Sequence, residues 1–301
     1  MDVTGAAAGS GEALDAAVAV FAAQRRRLFG IAYRMLGTVA DAEDIVQETW
    51  IRWQNTDRSQ VQEPAAFLTT ITTRLSINVL QSSRAKRETY IGPWLPEPVN
   101  TDDDPALGAE RAEALHVAIL LTLEKLTPTE RAAYILREAF DYPYPRIAEV
   151  ISSSVVNARQ LVSRARAHLA SARQSAVEPT HHRRLLEAFL AAARQGDAQQ
   201  LETLFADDVV SYTDGNGVKL AARIPVNGRG RVAKFVAAFA HHFWTGKTIG
   251  WVEVNGQPAA TLIEDGDVTT VLTLTTSEDG IQQLLWMMNP QKLGHVIPAR
   301  A

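Results

Sequence analysis

Residues 143–169 read PYPRIAEVISSSVVNARQLVSRARAHL, and they constrain the fold more tightly than any other stretch. Ile147, Ala148, Val150 and Ile151 give a short first helix one apolar face. Ser152, Ser153 and Ser154 break that pattern, and a serine hydroxyl at this point caps the helix that follows. Val155, Ala158, Leu161, Val162 and Ala165 then recur at helical spacing. Two helices separated by so tight a break have the spacing of a helix-turn-helix. The outer face of the second helix carries Asn157, Arg159, Gln160, Ser163, Arg164 and Arg166. Such groups contact base edges and phosphates when a helix lies in the major groove. A solvated amphipathic helix in a bundle satisfies the periodicity equally well. DNA is favoured by the serine break and by the lack of any acid between Glu149 and Glu178.

The rest of the chain must supply what that local face lacks. Net charge is −4 over 301 residues, so attraction to nucleic acid has to come from local basic faces. The hydrophobic share of 46% is enough for real cores. Without cysteine, a disulfide scaffold, cysteine-based zinc sites and thiol catalysis are excluded. That composition fits a reducing cytoplasm, which is the expected location. No apolar run reaches the roughly 18–20 residues that span a bilayer, so no membrane partner is expected. The start of the chain, rich in alanine and glycine, lacks a basic signal-like segment.

Residues 1–13 are expected to be a flexible tail. Helical periodicity then runs through Phe21, Leu28, Ile31, Ala32, Met35 and Leu36 to Gly37. A second helix begins at Asp41 in DAEDIVQETWIRW, with acids in its first turn where the helix dipole favours them. After a polar loop, Pro64 opens a helix with Phe67, Leu68, Ile71, Leu75 and Val79 inward. That helix lies in a second acid-free window, which holds Arg74, Arg84, Lys86 and Arg87. Residues 89–106 form a proline-rich, acidic linker containing WLPEP, where Trp94 and Leu95 suggest docking. Helix resumes in 107–174, with a cap-then-proline start at Thr127 and Pro128. From 181 to 301 the grammar becomes helices and β-branched strands, separated by turns such as DGNG and NGQP. Helices first and strands later read as a multidomain chain: an all-α front and an α+β end.

DAEDIVQETWIRW, with RLFGIAYRMLGTVA before it and PAAFLTTITTRLSINVLQSSRAKR after it, resembles the sigma-2 domain of bacterial ECF-type (extracytoplasmic function) RNA polymerase sigma factors. LTPTERAAYILREAF followed by IAEVISSSVVNARQLVSRARAHL resembles their sigma-4 domain. WLPEP, the DGNGVK turn and NPQKL resemble a SigJ-type subgroup with a fused SnoaL-like C-terminal domain. The chain departs from that pattern at Ser152, where the turn usually has glycine, and at Asn216, Val218 and Gln291. The resemblance implies sigma-2 over 1–88, sigma-4 over 107–174 and a cone-shaped α+β barrel over 181–301.

It further implies a dissociable polymerase subunit with no catalysis of its own and no cofactor. Its partners would be core RNA polymerase, through the β′ clamp helices and the β flap, and promoter DNA. Asp41, Asp44, Ile45, Gln47, Glu48 and Trp53 would meet the clamp helices. Arg74 and Asn78 would touch bases or sugars at the −10 element, with Arg84, Lys86 and Arg87 on phosphates. Asn157, Arg159, Gln160, Ser163, Arg164 and Arg166 would read the −35 element. Thr69, Thr72, Thr73 and Ser76 fit either a core or a DNA face. Trp94, Leu95, Pro96, Glu97 and Pro98 of the linker would meet Asp214, Gly215, Asn216, Gly217 and Lys219, together with Asn289, Pro290, Lys292 and Leu293. That contact would regulate activity in cis without a separate anti-sigma factor, with Lys219 reaching Glu97. His181, His182, His241 and His242 come as adjacent pairs, which do not face one another on a helix, so no metal site is expected within a pair. Whether the last domain takes a small-molecule ligand is open. The alternative is a helix-turn-helix regulator carrying a SnoaL-type sensor or enzyme, and a clamp-binding helix is what such a regulator would not need.

Overall fold

Period-two alternation in the C-terminal half decides its architecture. Leu284 and Trp286 fall in one core and Leu285 and Met287 in another, as do Leu272 against Val271 and Ala260 against Ala259. Both faces of the sheet therefore carry an apolar core. A computed structural model describes residues 4–87, 90–101, 116–174, 179–294 and 296. Its internal contacts divide the chain into two compact units, residues 1–84 with 126–166 and residues 85–125 with 167–301.

The first unit is helical. Helix α1, Thr4–Leu36, begins inside the segment expected to be a tail. The helix ends at Gly37, whose φ of 76° lets its N–H donate to Tyr33 O at 2.7 Å. Helix α2, Val39–Gln54, is capped by Thr38 and packs Ala42, Ile45, Val46 and Trp53 inward. A 3-10 turn, Arg58–Gln60, interrupts the polar loop before α3, Pro64–Arg87.

Helix α4, Val117–Leu123, belongs to the second unit. Helix α5, Pro128–Glu138, starts on a capping box of Thr127 and Glu130 and is buried through Leu136. Arg131 on α5 is 3% exposed and donates to Met35 O at 2.6 Å. Phe140 lies between the guanidinium groups of Arg27 and Arg34, at 5.3 and 5.2 Å. Helices α6, Tyr144–Val150, and α7, Val155–Gln174, complete the front.

The second unit is built on one mixed, mostly antiparallel sheet. Its order is β2-β1-β6-β5-β4-β3. The strands are β1 Phe205–Asp214, β2 Val226–Asn227, β3 Thr248–Val254, β4 Gln257–Glu264, β5 Asp267–Ser277 and β6 Gly280–Met287. β1 runs parallel to β6, and the other pairs are antiparallel. Helices α8 Pro179–Gln195, α9 Ala198–Leu204 and α10 Arg229–Trp244 give one face its cover through Leu186, Phe189, Leu201, Val232 and Val236. The opposite face is covered by Leu95 of the linker, Val117 of α4, Leu293 and Val296. The linker is thus a layer of the domain, and the sheet would expose Val252, Val254, Val271 and Met287 without it.

His182 is buried on α8, with Nε2 3.1 Å from Pro258 O. Burial drives its pKa down to about 4, against the partial support of that hydrogen bond. In the unfolded chain the imidazole takes up its proton near the ordinary value of 6.5, while the folded state refuses it until about 4. Stability is therefore full above the unfolded value and falls as the pH drops toward the folded one. Going from pH 7 to pH 5 should cost the second unit about 2 kcal/mol. His182→Gln should flatten that part of the pH dependence in urea unfolding, and an unchanged slope would remove His182 as its source.

Candidate nucleic-acid and protein interfaces

The helix-turn-helix is built locally. Ser152 has φ 52°, the left-handed region, so glycine suits this position and serine pays a small strain. Ser153 N–H donates to Ala148 O at 2.8 Å, and Ser154 Oγ accepts from Asn157 N at 3.1 Å as the cap of α7. Ala158, Leu161, Val162, Ala165 and Leu169 are buried, which turns Asn157, Arg159, Gln160, Ser163, Arg164 and Arg166 outward.

These outward groups are not equivalent. Asn157 Nδ2 donates to Ser153 Oγ at 2.8 Å, and the Arg159 guanidinium lies 5.5 Å over the Tyr144 ring. Arg164 Nε is 3.0 Å from Glu130 Oε1, and Arg166 Nη2 is 2.7 Å from Glu138 Oε1. Both arginines are roughly half exposed, so these pairs are worth only about 0–1 kcal/mol each. They nevertheless brace α7 against α5, a job the basic pattern alone did not reveal.

Arg74 is the second surprise. Its Nε donates to Val150 O at 2.9 Å, and its Nη2 donates to Glu149 O at 2.9 Å and Ser152 Oγ at 3.0 Å. The guanidinium expected at the −10 element thus caps the end of α6, at the turn of the helix-turn-helix. Asn78 is exposed, and the side chains of Arg84, Lys86 and Arg87 lie outside the described residues. Thr69, Thr72, Thr73 and Ser76 are all buried, so they line packing surfaces rather than DNA. Thr69 Oγ1 and Tyr142 OH are 2.8 Å apart, and the Thr49 and Thr72 hydroxyls are 3.1 Å apart. A groove of about 1190 Å³, counted to its open side, lies between the Thr56–Glu63 loop and α3, with Phe67 and Arg74 in its wall.

On α2 the expected protein-binding set divides. Asp41, Asp44 and Gln47 are exposed, and Glu48 is half-buried and paired with Arg52 at 2.8 Å. Ile45 and Trp53 are corrected to core residues, 5% and 2% exposed. Trp53 Nε1 donates to Ala17 O at 3.1 Å, and its ring meets Phe67. Helical periodicity marks a residue as apolar without saying which neighbour it faces. The exposed apolar group beside the acids is Ile51, which follows Asp44 and Glu48 at helical spacing.

In the second unit the expected linker contacts form a single cradle. Asp214 is fully buried, and its carboxylate accepts from Leu95 N at 2.8 Å, from Lys292 Nζ at 2.7 Å and from the Tyr90 hydroxyl. Lys292 Nζ also donates to Leu95 O at 2.5 Å and lies 4.1 Å over the Trp94 ring. Asn289 donates to Tyr90 OH at 2.8 Å and caps the 3-10 turn Pro290–Lys292. Burial, followed by the Asp214 hydrogen bond and charge, pushes the Tyr90 hydroxyl well above the usual phenol range.

Leu95, Pro96, Glu97 and Pro98 are buried, and Leu293 joins the apolar core beneath them. Gly215 admits no side chain, since a Cβ there would stand 2.2 Å from Ala221 Cβ. Asn216 accepts from Ile91 N at 3.4 Å, while Gly217 supplies a φ of 90° to the turn. Lys219 is corrected: it is exposed on the loop beyond that turn and makes no ion pair among the described residues. The buried cation is Lys292. Two contributors escaped the sequence, Tyr90 and Asn255, whose Oδ1 accepts from Val99 N at 3.1 Å.

The family model for Sigma-70 region 2 matches residues 20–86, and that for Sigma-70, region 4 matches residues 116–169. The ECF RNA polymerase sigma factor SigJ of Mycobacterium tuberculosis (strain ATCC 25618 / H37Rv) is 38% identical over 234 residues, 76% of this chain and 75% of its own. A probable ECF RNA polymerase sigma factor, SigI, of Mycobacterium tuberculosis (strain CDC 1551 / Oshkosh) is 29% identical over 93% of this chain and 95% of its own. The crystal structure of Mycobacterium tuberculosis SigJ superposes with a TM-score of 0.75 at 32% identity, covering 94% of this chain and all of that one. With both sigma regions in order, a C-terminal mixed-sheet domain behind them and a relative this similar over three quarters of its length, the chain belongs to the ECF family of RNA polymerase sigma factors.

Proposed function

We propose that this sigma factor binds core polymerase through the exposed acids of α2, reads the −35 element with α7 and captures −10 bases in the groove beside α3. The α7 surface carries the reading most directly: a side chain for guanine, Arg159, and two for adenine, Asn157 and Gln160, stand on one exposed face. In promoter DNA, Arg74 would exchange the α6 carbonyls for a base or phosphate. The free protein is then a closed form that opens on DNA, because one guanidinium serves both partners.

The C-terminal domain acts in cis by holding the linker. Every linker residue from Leu95 to Val99 is buried against it, and the linker is the only covalent path between the sigma regions. Docking it limits how far the two DNA-reading regions separate.

Promoter binding by reconstituted holoenzyme tests the assignment of α7. Arg159→Ala and Gln160→Ala should each weaken binding by about 1–3 kcal/mol and relax sequence choice at one position. Arg166→Ala should change it less, since that side chain already serves Glu138. Core association should stay intact in all three. Full promoter affinity in both Arg159→Ala and Gln160→Ala would remove α7 from the major groove.

A further inference from the structure

We propose that Val156 reads the C5 methyl group of a thymine in the −35 element, an inference that rests on α7 lying in the major groove. Val156 is 65% exposed, and it is the one large apolar side chain left exposed on α7 among the described residues. Single exposed valines are common on protein surfaces, so exposure alone assigns nothing. Its place does. Val156 stands in the first turn of α7, two residues after the Ser154 cap, and the first turn of a recognition helix is the part that meets base edges. Arg159, Gln160 and Ser163 follow it at three, four and seven residues, so the valine continues the exposed stripe that carries the base-reading groups.

Helix stability does not account for a valine here. A β-branched residue is a poorer helix former than alanine, and the helix dipole at this end favours an acid. Both disadvantages turn round once DNA is the partner. An acid would repel phosphate, while β-branching holds the two methyl groups in one rotamer, so little freedom is lost on contact. The neighbouring polar groups have partners within the motif: Asn157 Nδ2 donates to Ser153 Oγ at 2.8 Å, and the Arg159 guanidinium lies 5.5 Å over the Tyr144 ring. The isopropyl group of Val156 has no such role in the turn.

The major groove presents one apolar group that matches it. Thymine carries a C5 methyl there and cytosine does not, so an apolar side chain on this face distinguishes the two pyrimidines. A rise of about 1.5 Å per residue sets Val156 about 6 Å from Gln160 along the helix, which is about two steps of the DNA. The thymine read by Val156 therefore lies within about two base pairs of the base read by Gln160.

Binding of reconstituted holoenzyme to a promoter selected from random DNA tests the contact. Each thymine of the −35 element is replaced in turn by deoxyuridine, which removes the methyl and keeps every hydrogen-bonding group. One replacement, within about two base pairs of the position where Gln160→Ala relaxes choice, should weaken wild-type binding by about three- to tenfold. Val156→Ala should bind the thymine duplex about as weakly as the wild type binds the deoxyuridine one, and should not distinguish the two. Val156→Ile should keep the distinction. The slope of log K against log salt should stay unchanged in Val156→Ala, because no phosphate contact is lost. A selected element without thymine at that distance, deoxyuridine tolerated at every position, or a penalty that persists in Val156→Ala would each overturn the proposal. If Arg159→Ala and Gln160→Ala are still weakened, such a result removes Val156 alone; if both keep full affinity, the placement of α7 itself fails.

Discussion

Asp214→Ala should cost the second unit about 3–5 kcal/mol, more than any other single change in the linker cradle. The carboxylate is fully buried and serves a tyrosine hydroxyl, a backbone amide and an ammonium at once. Its removal strands Lys292, whose side chain is 7% exposed, as a buried charge. The ion pair itself need not stabilise the fold, because desolvation offsets much of the attraction. Lys292→Met should therefore be harmful alone yet should rescue part of Asp214→Ala in the double variant. Rescue will be partial, since Leu95 N–H and Tyr90 OH still lose their acceptor. Urea unfolding of the four proteins gives the coupling, expected at about 2 kcal/mol or more. Acrylamide should also reach Trp94 more readily in Asp214→Ala. Additive single effects with Trp94 equally shielded would mean that Asp214 does not hold the linker.

Asp44→Lys with Glu48→Lys should lower affinity for core polymerase by at least about 100-fold, nearly 3 kcal/mol. Reversal turns attraction for a basic partner helix into repulsion at two positions of one face. The fold should survive, because Asp44 is exposed and the Glu48–Arg52 pair is a surface one worth about 0–1 kcal/mol. Ile51→Ser tests the apolar neighbour and should weaken binding less. Co-migration with core on gel filtration is the readout, and circular dichroism verifies the fold. Undiminished co-migration of the double variant would move the docking surface elsewhere.

Much of the molecule was legible where local chemistry decides structure. The serine break before α7, the Thr127–Glu130 capping box and the buried stripe Ala158–Leu161–Val162–Ala165 follow from spacing alone. Whatever depended on a distant partner was harder to read. Ile45 and Trp53 are apolar at helical spacing, and only the packing of α1 on α2 shows that they face the core. Arg74 and Arg166 look like free cations in an acid-free window, while their acceptors come from helices far along the chain. Asp214 reads as a turn residue, since aspartate favours turns for backbone reasons. Its burial depends on Tyr90 and Lys292, which lie 124 and 78 residues away. The strands were recognised, but no local signal marked the parallel pairing of β1 with β6. Trp94 and Leu95 mark the linker as a docking segment, while its role as cover for the sheet's second face depends on residues far along the chain.

Run-off transcription with bacterial core polymerase tests the function most directly. The template would be a promoter selected from random DNA by the reconstituted holoenzyme. A transcript with a single start is expected only when this chain is added. It should be lost with Asp44→Lys and Glu48→Lys combined, and redirected or weakened with Arg159→Ala. If no DNA is selected, and core with this chain transcribes no differently from core alone, the assignment of promoter recognition to these helices is wrong.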